Sequence, residues 1–301
     1  MLLDLNEHLR GPRVDAALNA LDRAALRLLR VRPRRSASVE RLRLRSMAGY
    51  PIAVEIYRTE AVGPQPAVVI CPDHGEGMAA SRSAQSVADP RELARAGVTV
   101  AVFDPAGRGD SWGEDDHGGP EHQDNVVQVV LHLLSLPEVR PCGVGLVAIG
   151  AGNQAALGAA TALGDRVAWV LDYEGPADRE TNAALYGEDH PSRGADDTTW
   201  WAERSPSTLI RAARCGYLRL QAEEDHRLGD ELRHAQRMIA AAAQSDGLRW
   251  LQLNDHPFNE RPPRPRWMPR GRVAARAAVL HKIRALTASP TAPLPSTEAR
   301  R

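Results

Sequence analysis

The sequence predicts an α/β fold built on a doubly wound, mostly parallel sheet, and two observations carry that expectation. Short apolar runs at Ala67–Cys71, Val98–Phe103, Val144–Ile149, Val167–Leu171, Tyr217–Leu220 and Leu248–Leu253 have the length and composition of buried strands. Helical patterns at Pro90–Ala96, Asn125–Leu134, Gln154–Leu163 and Asp230–Ala243 lie between them, and strands alternating with helices form parallel sheets. A chain of 301 residues is ample for one large domain with a buried core.

In chain order, Val14, Leu18, Leu21, Ala25 and Leu28 stand at helical spacing with arginines between them. They predict an amphipathic helix over 13–30. Such a stripe can lie on an anionic membrane, but packing as a leading helix on the domain is the ordinary outcome. Pro33 and Ser36–Ser38 make a hinge, which sets an N-terminal segment at 1–38. Glu40–Arg45 and Ile52–Arg58 flank Met47-Ala48-Gly49-Tyr50 and predict an antiparallel hairpin. The core then runs over 39–286. A lid insertion is expected at about 177–205, around the polar stretch Thr181–Trp201, and the Pro- and Arg-rich Arg261–Arg270 is expected to wrap the surface. The tail 287–301 is rich in Pro, Ser and Thr and is expected to be disordered.

Charge and composition exclude several classes of function. Acidic and basic residues balance at 38 each, so no field for nucleic acid or membrane is implied. Cys71, Cys142 and Cys215 lie far apart and match no metal spacing, which points to a reducing compartment. No run of about 18 apolar residues suggests a membrane span, and the first residues lack a signal-peptide core. A cytoplasmic protein is the expectation.

The most informative segment is Val144–Ala160. An apolar strand ends at Ile149, Gly150-Ala151-Gly152 follows, and an alanine-rich helix begins. That is the layout of a nucleophile elbow, where a sharp turn lifts one side chain above the sheet. The lifted position is Gly150, which has no side chain to react. A literal G-x-S-x-G match occurs at Gly109-Asp110-Ser111-Trp112-Gly113. It runs into Glu114-Asp115-Asp116 with no helix behind it, so Ser111 reads as a loop residue.

Ligands of such sheets bind beyond the carboxyl ends of the strands. The segments there are Pro72-Asp73-His74-Gly75-Glu76-Gly77, Asp104–Ser111, Gln221-Ala222-Glu223-Glu224-Asp225 and Asn254-Asp255-His256-Pro257-Phe258. Taken with the elbow, this order resembles the α/β-hydrolase superfamily, in its dienelactone-hydrolase-like and acyl-esterase or peptidase-like branch, over roughly residues 40–285. His74-Gly75 resembles the His-Gly loop that supplies an oxyanion amide, and Asp104…Gly107-Arg108-Gly109…Ser111 resembles the D-x-R-G-x-G-x-S turn. Trp201-Ala202-Glu203-Arg204-Ser205-Pro206 resembles a segment that precedes the acid strand.

The resemblance implies that Asp225 sits at the acid position and His256 at the histidine position, with Asp172 or Glu174 as rival acids. It also implies oxyanion amides at Glu76 and Ala151, and a substrate pocket near His74 and Trp201. In that mechanism a serine or cysteine attacks the acyl carbon, histidine takes its proton and the acid orients the imidazole. Gly150 cannot form an acyl-enzyme, and none of the three cysteines reaches the elbow.

The other patterns carry less. His74 reads as a structural residue folded onto its own loop, and Glu114-Asp115-Asp116-His117…Glu121-His122 as a solvated loop rather than a metal site. No G-x-G-x-x-G opens a helix after the first parallel strand, so no cofactor is expected. Three functional readings follow. The chain is a non-catalytic homologue that binds a small acyl- or ester-like ligand or a partner protein. Alternatively it hydrolyses esters through a water activated by His256 and Asp225. The third is an active serine esterase whose serine at position 150 has been replaced.

Overall fold

A computed structural model describes residues 36–60, 63–178, 198–222, 233–254, 256–257 and 271–289. The chain divides into two units at Ser36, and the description below concerns the second, 37–301. The expected helix over 13–30, most of the expected lid, Asp225 and the stretch Arg261–Arg270 lie outside the described residues.

Among the described residues nine strands form one sheet in the order β1-β2-β4-β3-β5-β6-β7-β8-β9. The first two, β1 (Ala37–Arg45) and β2 (Pro51–Thr59), are the expected antiparallel hairpin. Strand β2 pairs antiparallel with β4 (Thr99–Phe103), which lies parallel to β3 (Ala67–Cys71). From β3 the sheet continues in parallel through β5 (Val144–Ile149), β6 (Val167–Tyr173), β7 (Gly216–Leu220) and β8 (Trp250–Leu253). It closes with the two-residue antiparallel strand β9 (His256–Pro257).

The central strands are apolar on both faces because both faces are covered. Along β3, Ala67, Val69 and Cys71 enter one core while Val68 and Ile70 enter the other. The first core is closed by Val126, Val129 and Leu133 of α3 (Pro120–Ser135), by Ala156, Leu157 and Ala160 of α4 (Gly152–Leu163), and by Met238 and Ala242 of α7 (Arg233–Ala243). The second holds Leu93 and Ala94 of α2 (Pro90–Arg95), Trp169, and Val279, Ile283 and Leu286 of α8 (Arg272–Ala288). Asp89 caps α2 by accepting from the Arg91 and Glu92 amides, and Pro90 takes the first helical position, both favourable helix starts. The alanines of α4 let that helix lie close against the sheet. At its start, a Cβ on Gly152 would meet the Cys71 and Pro72 carbonyl oxygens.

A charged group lies inside this apolar frame. Arg219 of β7 and Asp172 of β6 are both fully buried and pair at 2.8 Å. The Tyr217 hydroxyl donates to the same Asp172 oxygen at 2.5 Å, and Arg219 donates through Nη2 to Gln221 Oε1 at 2.7 Å. Burial and the Asp172 charge hold the Tyr217 phenol well above its ordinary value. Removing one partner of such a pair strands the other charge without water. Asp172→Ala should therefore lower stability by about 3–5 kcal/mol, read as a drop in the urea midpoint with unchanged slope.

Candidate functional site

Strand β5, the turn Gly150-Ala151 and helix α4 follow one another as the sequence pattern over 144–160 predicts. Gly150 follows β5 with φ +51°, a left-handed conformation that suits glycine, and its amide donates to Tyr173 O at 2.9 Å. Two neighbouring strand ends do the same with non-glycine residues. Glu174 (φ +51°) donates its amide to Leu220 O, and Asn254 (φ +50°) donates to Arg219 O. Each turn extends the sheet ladder by one bond before the chain leaves it.

The space above Gly150 holds a carboxylate. In the β3–β5 register Cys71 stands opposite Ala148, so two residues further on Asp73 comes level with Gly150. Asp73 Oδ1 accepts from the Ala151 amide at 2.8 Å and from the His74 amide at 2.7 Å. A Cβ built on Gly150 would overlap this carboxylate, with even the farther oxygen, Oδ2, 2.7 Å away. Asp73 is 5 % exposed, and its seat lies at the N-terminal end of α4, where a negative charge is favoured. The acidic group that meets the elbow thus comes from the adjacent strand end, a position the sequence reading passed over.

The expected site residues fall as follows. The Ala151 amide is the one engaged by Asp73, while the Glu76 amide donates to the Asp73 carbonyl oxygen at 3.1 Å. Asp172 faces Arg219 and Tyr217 and also accepts from the Gly175 amide at 3.0 Å, and Glu174 accepts from the Ala222 amide at 2.9 Å. His256 is described in its backbone, paired with Leu253 beside β8. Trp201 is buried in α5 (Thr198–Glu203). Its neighbour Trp200 lies beneath the Arg204 guanidinium, 4.1 Å from the ring centre, and Arg204 pairs with Asp116. Ser111 is a structural loop residue: its hydroxyl donates to Asp104 O at 2.5 Å and accepts from the Ala53 amide at 2.8 Å. Asp104 in turn accepts from the Met78 and Asp110 amides.

His74 lines a cavity of about 20 Å³ with Arg108, His117, His122, Ala151 and Gln154, room for roughly one water. The His74 and His117 rings stack at 5.7 Å. The segment expected as a solvated loop leaves Glu114 exposed but holds Asp115, Asp116 and His117 half-buried in polar contacts. Arg108 grips Asp115 with two hydrogen bonds of 2.7 and 2.9 Å. Burial raises the Asp115 carboxyl, but the Arg108 bonds outweigh it and hold the group well below the usual carboxylate range. His122 is buried; its Nδ1 accepts from the Gly118 amide (3.1 Å), and its Nε2 lies 3.0 Å from Ala106 O and 3.3 Å from the Asp116 amide. Among the described residues no group of three His, Cys, Asp or Glu is placed to hold a metal ion. Cys142 is exposed ahead of β5, whereas Cys71 and Cys215 are buried, and burial pushes both of their thiols up, Cys215 to about 12.

No family model matches this sequence. No curated protein matches it either. Solved structures do. A puromycin-hydrolyzing peptidase of Mycobacterium tuberculosis superposes with a TM-score of 0.62 at 16 % identity, over 86 % of this chain and 40 % of that one. The Pyrococcus horikoshii acylaminoacyl peptidase gives 0.58 at 15 % identity, over 72 % of this chain and 36 % of that one. The Pyrococcus furiosus esterase Pf2001 gives 0.56 at 12 % identity, over 72 % and 81 %. The fold is the α/β-hydrolase fold. This chain spans well under half the length of the two peptidases and about four fifths of the esterase.

The buried His122 at the start of α3 makes one pH dependence explicit. Burial, with help from the Arg108 charge, lowers His122 to about 4 from an ordinary 6.5. The folded state therefore binds fewer protons than the unfolded one between those values. The contribution of this group is complete above pH 6.5 and is lost as pH falls toward 4. His122→Gln should flatten the pH dependence of the urea midpoint across that interval.

Proposed function

We propose that this chain is an α/β-hydrolase-fold protein that forms no acyl-enzyme and acts as a binding scaffold for a small acyl- or ester-like molecule or a protein partner. The observation that carries the absence of an acyl-enzyme is the Asp73 carboxylate seated over Gly150. Acyl transfer needs a nucleophile at the elbow and free amide donors for the oxyanion. Position 150 has no side chain, and the Ala151 amide donates to a carboxylate already.

The same carboxylate weakens the water-assisted alternative. A tetrahedral oxyanion formed about 4 Å from Asp73 would meet a repulsion of about 4 kcal/mol at an effective dielectric of 20. Losing an oxyanion donor costs a further factor of about 10²–10³. The fit between Gly150 and Asp73 supports glycine as the residue this chain is built around, and disfavours the serine-replacement reading. The motif order favours the dienelactone-hydrolase-like and peptidase-like branch. The three unpaired cysteines favour a cytoplasmic setting, and no described helix is long and apolar enough to cross a membrane.

A fluorophosphonate probe and a panel of short-chain aryl esters test the proposal together. The expected result is no covalent adduct and equal, background-level turnover in the wild type and in His256→Ala. Turnover that His256→Ala abolishes would overturn it in favour of water-assisted hydrolysis, and an adduct would overturn it outright.

A further inference from the structure

The Asp73 seat has the chemistry of a ligand site. Two backbone amides from different strand ends converge on one carboxylate oxygen at 2.7 and 2.8 Å. The turn beneath carries no side chain, and the N-terminal end of the 12-residue helix α4 adds partial positive charge. Such a nest selects a carboxylate by charge and by the number of its acceptors. We propose that Asp73 is an internal ligand of a carboxylate-binding nest, and that this nest is closed to external carboxylates and acyl anions as long as Asp73 occupies it. The proposal rests on the reading that the elbow forms no acyl-enzyme, and it names the group that regulates access to that elbow.

Three features support a self-occupied site. The occupant is tethered one residue from the His74 amide that binds it, so its effective concentration at the nest is far above that of a dissolved competitor. Gly150 supplies the room: any side chain there would overlap the seated carboxylate. The surrounding polar groups hold the loop in place. Arg108 is held by Asp115 and reaches the Asp73 carbonyl oxygen at 3.5 Å, and the Glu76 amide donates to that same oxygen. The main chain of residue 73 thus has contacts of its own beside those of the carboxylate.

The test is a titration of the wild type, Asp73→Ala and Asp73→Asn with sodium acetate, against sodium chloride and sodium phosphate at matched ionic strength. The readouts are thermal midpoint and line broadening of ¹³C-labelled acetate. Asp73→Ala should show a saturable response to acetate, half-complete on the order of 10 mM for so small a ligand, and none to chloride. The wild type should show no saturable response, and neither should Asp73→Asn, whose amide oxygen still fills the nest. If Asp73→Ala does not fold, Asp73→Ser reads the same seat, because its short side chain leaves the outer part of the nest empty. A folded variant that ignores acetate overturns the proposal. Equal acetate binding by the wild type does so too, as does a phosphate response that exceeds the acetate response. None of these outcomes depends on covalent labelling, so failure here is distinct from failure of the acyl-enzyme reading.

Discussion

The site is organised by one contact, the Asp73 carboxylate on the Ala151 amide. It joins the ends of β3 and β5, the two strands whose register brings residues 73 and 150 level. It places a buried negative charge at the start of α4, where the helix dipole and two amides compensate its desolvation. It also dictates glycine at the elbow, because the carboxylate takes the volume a side chain would need. The turn after β5 carries Gly150, and the His74 and Ala151 amides both donate to the Asp73 carboxylate.

Around that contact the carboxyl ends of the strands form a buried polar layer. Asp172, Arg219, Tyr217 and Gln221 share bonds beneath the elbow. The ladder bonds of Gly150, Glu174 and Asn254 carry three strands out of the sheet in the same left-handed turn. Each of these groups is costly if left alone and stabilising when paired, so the layer is cooperative. Arg204 extends it sideways, stacking on Trp200 while pairing with Asp116. This fixes α5 to the loop that carries His117 and leads into α3.

The fold was legible because its signals are local. Apolar runs such as Val144–Ile149 and the alanines after Gly152 specify strand and helix by composition and period. Helix α8 escaped that reading, although Ala275, Val279, Leu280, Ile283 and Leu286 lie buried along one face. Alanines and arginines between them dilute the contrast, and no cap marks its start beyond Gly271. The elbow was legible as a turn, but its occupant was not. The proximity of Asp73 to Gly150 follows from which strands are neighbours, and sequence order puts β4 between β3 and β5 while the sheet puts β3 beside β5. The acidic loop 114–119 looked solvated because charge suggests exposure. Its partners Arg108 and Arg204 lie outside the segment, and they hold Asp115 and Asp116 half-buried while Glu114 stays exposed.

A double-mutant cycle of Asp73→Ala and Gly150→Ala, read by urea denaturation, tests the central claim most directly. If the carboxylate fills the space over Gly150, the alanine at 150 costs backbone strain plus eviction of Asp73 in the wild type, and strain alone once Asp73 is gone. The account predicts that Gly150→Ala is less destabilising in the Asp73→Ala background, with a coupling of about 1–3 kcal/mol. Additivity within about 0.5 kcal/mol would mean that the two residues do not meet, and would contradict it.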